Sequence, residues 1–171
     1  MAIIHTNSGD LSYDMHGEGP PLVLLRGLGR TVRHWLGYDQ VLARGFKVIT
    51  LDLRGIGASK VPCTWTTSVF DMAEDIVAVL DHLGLADAHI MGVSLGGMVT
   101  LALGLAEPAR CRSLIVVNTS IAGQRTLRIT PRALRTLVTG AMHRDDRFHH
   151  RLVDALVGPD CPADRRAEVA K

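Results

Sequence analysis

A short apolar run and a helix-forming run of small residues meet at a serine in the sequence Ala88-His89-Ile90-Met91-Gly92-Val93-Ser94-Leu95-Gly96-Gly97. Glycines on both sides of Ser94 allow neighbouring backbones to pass close to it. The helix that follows directs its free N–H groups and the positive end of its dipole at the serine. This strand–turn–helix pattern is typical of a turn that exposes a serine hydroxyl as a nucleophile. The alternative is an ordinary turn in which Ser94 only caps the helix.

The rest of the chain alternates apolar runs with helical patterns, which predicts a mostly parallel α/β sheet with flanking helices. The predicted strands are Ile3–Thr6, Leu11–His16, Leu22–Leu25, Phe46–Leu51, His89–Gly92 and Leu114–Val117. The predicted helices are one around Trp35–Arg44, one capped by Ser68 and ended by Gly84, and one over Leu95–Glu107. After Asn118 the alternation stops and helical patterns follow. We therefore expect an organisational boundary there, with residues 1–118 as one unit and residues 119–171 as the start of another.

The length is that of a single domain, and the composition favours a globular protein without nucleic acid or membrane as partner. The 171 residues are 47% hydrophobic and 21% charged, and the net charge is only +2. Such a balance gives no strong basic field for nucleic acid. Glycines divide the apolar stretch Ile90–Ala106, which predicts a strand and a helix rather than a stable membrane insertion. Three scattered cysteines and an N-terminus without a basic leader predict reduced thiols and a cytoplasmic location.

Four ordered segments resemble the α/β-hydrolase fold family. The run Gly17–Leu25 is similar to the family's entry to its third strand, and Arg26-Gly27-Leu28-Gly29 stands where the family has its H-G-x-G loop. The segment Asp52–Ser59 matches the turn D-x-R-G-x-G-x-S after the fourth strand. Gly92–Gly97 matches the nucleophile elbow. The resemblance covers about residues 10–118 and implies the N-terminal part of an α/β-hydrolase fold, truncated in the helical cap after strand six.

The resemblance also implies an oxyanion hole beside Ser94. Its donors would be the backbone N–H groups of Leu28 and Leu95, and preorganised donors of this kind contribute about 3–4 kcal/mol each. Four further residues are expected to line the pocket: Arg26, Gly27, Gly29 and His34. Arg26 departs from the family's histidine, and it either holds the loop in place or attracts an anionic substrate. The segment beginning at Asp52 is expected to shape the neighbouring loop.

A serine nucleophile needs a histidine base and a carboxylate, which in this family follow the serine in the order acid, then histidine. No such pair is evident in this chain. Asp145 and His149 fall in that order, but four residues apart on one predicted helix they are better explained as a solvated surface pair. We therefore expect the chain to be the N-terminal portion of a longer serine hydrolase, or a short homologue completed by another chain.

The sequence thus favours a serine hydrolase that acts on a small ester or lactone-type carbonyl through a Ser94 acyl-enzyme, with no metal or organic cofactor implied. The alternatives are a non-catalytic hydrolase-fold binding module and one half of a two-chain assembly. The oligomeric state is left open.

Overall fold

Six strands and three α-helices make up the part of the chain that the computed structural model describes, residues 1–120. The strands are β1 Ala2–Thr6, β2 Gly9–His16, β3 Pro21–Leu25, β4 Lys47–Leu51, β5 Ala88–Val93 and β6 Cys111–Val117. The helices are α1 Tyr38–Leu42, α2 Val69–His82 and α3 Leu95–Ala106, with short 3₁₀ helices at Val32–Trp35 and Pro108–Arg110. The predicted alternation of strands and helices is therefore confirmed over this range.

The strands form one sheet in the order β1-β2-β4-β3-β5-β6. The pairs β4–β3, β3–β5 and β5–β6 are parallel, whereas β1–β2 and β2–β4 are antiparallel. The chain passes from β3 to β4 on one side and then returns across β3 to place β5 on its other side. The carboxyl ends of β3 and β5 therefore flank a topological switch point, the position where open α/β sheets bind their ligands.

Each face of the sheet buries its own apolar layer. Alternating residues of β3 point to opposite faces, so Val23 and Leu25 pack in the layer that contains α2 and α3. Leu22 and Leu24 pack on the other face with Trp35. Because β3 is buried throughout, it must be a central strand, as its uninterrupted apolar run predicts.

The predicted boundaries of α2 are confirmed, and a local interaction explains its start. Ser68 accepts a hydrogen bond from the Asp71 backbone N–H, and the Asp71 carboxylate accepts one in return from the Ser68 N–H at 2.6 Å. This capping box satisfies two N–H groups that the first turn would otherwise leave without a partner. Gly84, at φ 65°, follows the end of the helix, as expected for a residue in the left-handed region.

The prediction of a single helix around Trp35–Arg44 is wrong. The structure has a 3₁₀ turn over Val32–Trp35 and a separate α1, because Leu36 and Gly37 both adopt left-handed backbone conformations at φ 52° and 82°. A helix cannot continue through two such residues. The last strand also begins earlier than expected, at Cys111, because its pairing with β5 extends over polar residues.

The predicted start of a helical cap, residues 119–171, lies outside the described residues except for its first two positions. The candidate pair Asp145 and His149 lies outside them too. Within residues 1–120, no helix combines the length and apolar character needed to cross a bilayer.

Candidate active site

Two loops meet at the carboxyl edge of the sheet, where β3 and β5 end side by side. Leu25 pairs with Gly92 in the parallel ladder between these strands, so the loop that begins at Arg26 and the turn at Ser94 leave the sheet next to each other. The sheet thus brings together two segments that are far apart in sequence.

Ser94 has a strained backbone at this turn. Its φ of 55° and ψ of −116° lie outside the regions that residues other than glycine normally occupy, and such strain persists only where the surroundings hold it. Its N–H donates to the carbonyl of Val117 at 3.0 Å, and its carbonyl accepts from the N–H groups of Gly97 and Met98 at 2.9 and 3.1 Å. These bonds hold the backbone, while the Ser94 residue itself is exposed.

The sequence reasoning missed the contribution of Thr119 to this turn. Its hydroxyl donates to the Ser94 carbonyl at 2.5 Å, and its side chain packs so closely on Gly97 that a methyl group there would lie 2.7 Å from the Thr119 Cβ. A hydroxyl residue two positions after the last predicted strand was the available signal, but only the packing of that strand end against the turn shows what it contacts.

Glycines allow the two loops to touch. A methyl group on Gly27 would lie 3.3 Å from Cβ and 3.7 Å from Oγ of Ser94, so the Arg26–Gly29 loop runs directly against the serine. A methyl group on Gly96 would lie 2.4 Å from the carbonyl oxygen of Leu25 and 2.8 Å from that of Arg26. The N-terminus of α3 therefore presses on the end of β3 at a distance that permits no side chain at position 96.

The two expected oxyanion donors lie in these touching segments. Leu95 is the first residue of α3, so its N–H has no partner within the helix. Within the described part of the chain, the Leu28 N–H donates no hydrogen bond either. Leu28 is 54% exposed, and the exposed Gly29 beside it has a φ of 70°.

Arg26 lies half-buried with its guanidinium over the ring of Trp35, the Cζ atom being 4.7 Å from the ring centroid. Its buried Nε has no hydrogen-bond partner among residues 1–120. Burial, and to a smaller extent the charge of Arg30, lowers the pKa of Arg26 below its ordinary value.

His34 directly precedes Trp35 in the 3₁₀ helix, and its Nδ1 accepts a hydrogen bond from the Thr31 N–H at 3.1 Å. Whether His34 lines a pocket stays a prediction.

A buried carboxylate braces the loop next to the serine. The Oδ1 atom of Asp52 accepts from the Val32 N–H at 2.8 Å, and Oδ2 accepts from the Ala58 N–H at 3.0 Å. Asp52 therefore ties the end of the Arg26 loop to the segment after β4, as the sequence predicted.

Arg54 binds to α2 rather than to this loop and forms a two-point ion pair with Asp75, with N–O distances of 2.7 and 2.8 Å. This hydrogen bonding raises the pKa of Arg54.

The described residues do not complete a catalytic triad. Among residues 1–120, no side chain is hydrogen-bonded to Ser94 Oγ, and no group of three His, Cys, Asp or Glu side chains could hold a metal ion.

A cavity of about 390 Å³ lies between α2 and the C-terminal end of α3, where Ala106 and Glu107 line it. It is at the opposite end of α3 from Ser94, so we do not assign it to the site.

Comparison with known proteins places these features in a family. The sequence model described as "alpha/beta hydrolase fold" matches residues 20–154. The protein named "Putative carbamate hydrolase RutD" of Azorhizobium caulinodans is 38% identical over 118 residues, which are 69% of this chain and 44% of that protein. The chain thus spans less than half the length of this curated relative.

Two solved structures resemble the chain over nearly its whole length. A hydrolase from Pseudomonas aeruginosa PA01 has a TM-score of 0.76 and 28% identity, over 99% of this chain and 64% of that one. Est816, described as an N-acyl homoserine lactone degrading enzyme, has a TM-score of 0.76 and 25% identity over the same shares.

Proposed function

The chain belongs to the α/β-hydrolase fold family, and we propose that it carries the nucleophile and oxyanion hole of a serine hydrolase. Ser94 is the proposed nucleophile, and the backbone N–H groups of Leu28 and Leu95 are the proposed oxyanion donors. The observation that carries the proposal is the strained, exposed Ser94 at the switch point, with Gly27 packed against it. An ordinary helix cap would need neither the strain nor the close approach.

In the proposed reaction, Ser94 Oγ attacks a carbonyl carbon and the carbonyl oxygen becomes negative. Two N–H groups already aimed at that oxygen stabilise the charge without reorganisation, which is worth about 10²- to 10³-fold in kcat for each donor. A histidine base takes the serine proton and returns it to the leaving group. We propose that this histidine and its carboxylate come from outside residues 1–120.

The substrate we propose is a small molecule with an acyl carbon bonded to oxygen, namely an ester, a lactone or a carbamate. Its support is the names of the relatives, one a carbamate hydrolase and another a lactone-degrading enzyme. All three substrate types pass through the same tetrahedral oxyanion, so one arrangement of Ser94 and two amides serves each of them.

The nucleophile is tested by labelling the native protein with a fluorophosphonate probe and by hydrolysis of p-nitrophenyl acetate. We expect Ser94→Ala to abolish labelling and to lower turnover by up to about 10⁶-fold, as loss of a triad residue does elsewhere. Ser8→Ala, which removes an exposed hydroxyl in the turn between β1 and β2, is the matched control and should leave both unchanged. Undiminished labelling of Ser94→Ala refutes the assignment.

The oxyanion donor is tested by a pair of substitutions at Leu28. Leu28→Ala keeps the backbone N–H and removes an exposed side chain, whereas Leu28→Pro removes the N–H itself. We expect kcat of the proline variant to fall about 10²- to 10³-fold below that of the alanine variant, with thermal unfolding recorded for both. Equal kcat values in two folded variants would remove Leu28 from the oxyanion hole.

A non-catalytic binding module is the second candidate, because no side chain among residues 1–120 is hydrogen-bonded to Ser94 Oγ to activate it. It predicts that the native protein binds a small ester without hydrolysing it and that Ser94 resists the fluorophosphonate. Turnover above the Ser94→Ala control excludes it.

A further inference from the structure

We propose that Arg26 forms a subsite for a carboxylate on the substrate, so that the preferred substrates are esters, lactones or carbamates that carry a negative charge. This inference rests on the proposed function, since it names the substrate class of that same site. Arg26 would be a specificity-determining residue, with no part in bond breaking.

Arg26 lies beside the proposed nucleophile. It follows Leu25 at the carboxyl end of β3 and precedes Gly27, which packs against Ser94. Its guanidinium lies over Trp35, and Trp35 packs in the same apolar layer as Val93, the residue before Ser94. Arg26 is therefore tied to the site at both its backbone and its side chain.

The positive charge of Arg26 has no counter-charge among the described residues. No carboxylate within residues 1–120 forms an ion pair with Arg26 or with its neighbour Arg30. Asp52 is the carboxylate that contacts this loop, and both of its oxygens are taken by backbone N–H groups. Partial burial and the charge of Arg30 both disfavour the charged form of Arg26, and an anion bound beside the guanidinium would offset that effect.

The guanidinium of Arg26 keeps one edge accessible. Trp35 covers one face of the group, and its Nε is buried without an acceptor among residues 1–120. The two terminal Nη atoms donate no hydrogen bond to a described residue, so the edge that they form, and not the enclosed Nε, stays available for an anion. A carboxylate is planar and accepts two parallel N–H bonds from such an edge. A loop-holding arginine would instead be expected to spend its N–H groups on loop carbonyls.

The binding test does not depend on catalysis. The chain has two tryptophans, and Trp65 is fully exposed whereas Trp35 is buried under Arg26. In a Trp65→Phe background the fluorescence of Trp35 reports on its own surroundings. We expect monomethyl succinate, a monoanion, to give a saturable change that the neutral dimethyl succinate does not give. Arg26→Gln should weaken the binding of the monoanion by about 10- to 100-fold, which corresponds to the loss of a hydrogen bond to a charged group. Arg26→Lys should weaken this binding by less.

The kinetic test compares two esters in the same proteins. We expect the ratio of kcat/KM for mono-p-nitrophenyl succinate over p-nitrophenyl butyrate to fall about 10- to 100-fold in Arg26→Gln. Because the ratio is taken within one variant, general damage to the fold cancels. If the native protein hydrolyses neither ester, the proposed function fails, and the fluorescence titration still decides the subsite.

Three results would overturn the inference: no fluorescence response of the native site to the monoanion, equal responses to the monoanion and the neutral diester, or unchanged affinity in a folded Arg26→Gln. An affinity for inorganic phosphate equal to that for monomethyl succinate would overturn the assignment to carboxylates. Should Arg26→Gln fail to fold, the comparison of charged with neutral ligand on the native site and on Arg26→Lys decides whether the subsite exists.

Discussion

Replacement of Gly96 by alanine tests whether the close approach of α3 to β3 holds the site together. The new methyl group would lie 2.4 Å from the Leu25 carbonyl oxygen and 2.8 Å from that of Arg26. Ordinary contacts of this kind begin near 3.4 Å, and neither obstacle is a flexible side chain end. The helix or the strand end therefore has to shift by about 1 Å, the difference between 2.4 Å and 3.4 Å.

Two opposing effects determine the expected magnitude. Alanine is favoured over glycine inside a helix by about 1 kcal/mol, whereas overpacking a tight site costs typically about 1–3 kcal/mol and occasionally more. Because a backbone carbonyl yields less than a side chain, we take the upper part of that range and expect a net loss of about 2 kcal/mol. With a urea m-value of about 1–3 kcal/mol/M, the unfolding midpoint falls by roughly 1 M.

The assay is urea unfolding of the full chain followed by far-ultraviolet circular dichroism, together with fluorophosphonate labelling of Ser94. Gly45→Ala is the matched control, because no atom lies within 4 Å of its added methyl group and its φ is not left-handed. We expect Gly45→Ala to keep the urea midpoint of the native protein, or to raise the free energy of unfolding by up to about 1 kcal/mol. If Gly96→Ala unfolds at the same urea concentration as this control, the close approach does not constrain the fold and the reasoning is refuted.

Two further pairs of substitutions test contacts outside the site. Arg54→Ala should cost about 3–5 kcal/mol in urea unfolding, because it leaves the Asp75 carboxylate buried without its partner. Arg110→Ala breaks an ion pair with a mostly exposed partner and should cost less than about 1 kcal/mol; equal losses would contradict the role of burial. Ser68→Ala removes the N-cap of α2 and should lower the unfolding free energy by about 1 kcal/mol, whereas Ser8→Ala should lower it by less than about 0.5 kcal/mol; no difference between the two serine variants would mean that the cap is dispensable.

The sequence predicted those parts of the fold that local chemistry decides. Ser68 and Gly84 bound α2 because a side-chain cap and a left-handed glycine act within a few residues of the chain. The break at Leu36 and Gly37 was missed, since the apolar pattern continues through it. Gly37 was a usable signal there, because glycine commonly follows the last turn of a helix.

The parts that could not be predicted depend on contacts between distant segments. No local sequence pattern predicts that β2 pairs antiparallel with β4, or that β4 and β5 lie on opposite sides of β3. For the site, the pattern around Ser94 predicted the turn and its helix, which the structure has. The bond from Thr119 and the close approach of Gly96 to the carbonyl of Leu25 arise only when separate segments are packed together.

The backbone of Ser94 is tied to the carboxyl end of β6, because its N–H donates to the Val117 carbonyl and its own carbonyl accepts from the Thr119 hydroxyl just beyond that strand. Local opening of this strand end would release the strained turn at Ser94 while the apolar layers around β3 still hold. On warming, reactivity toward a probe should fade before the helical signal does. The carboxyl end of β6 would thus set how long the backbone of Ser94 keeps its strained conformation.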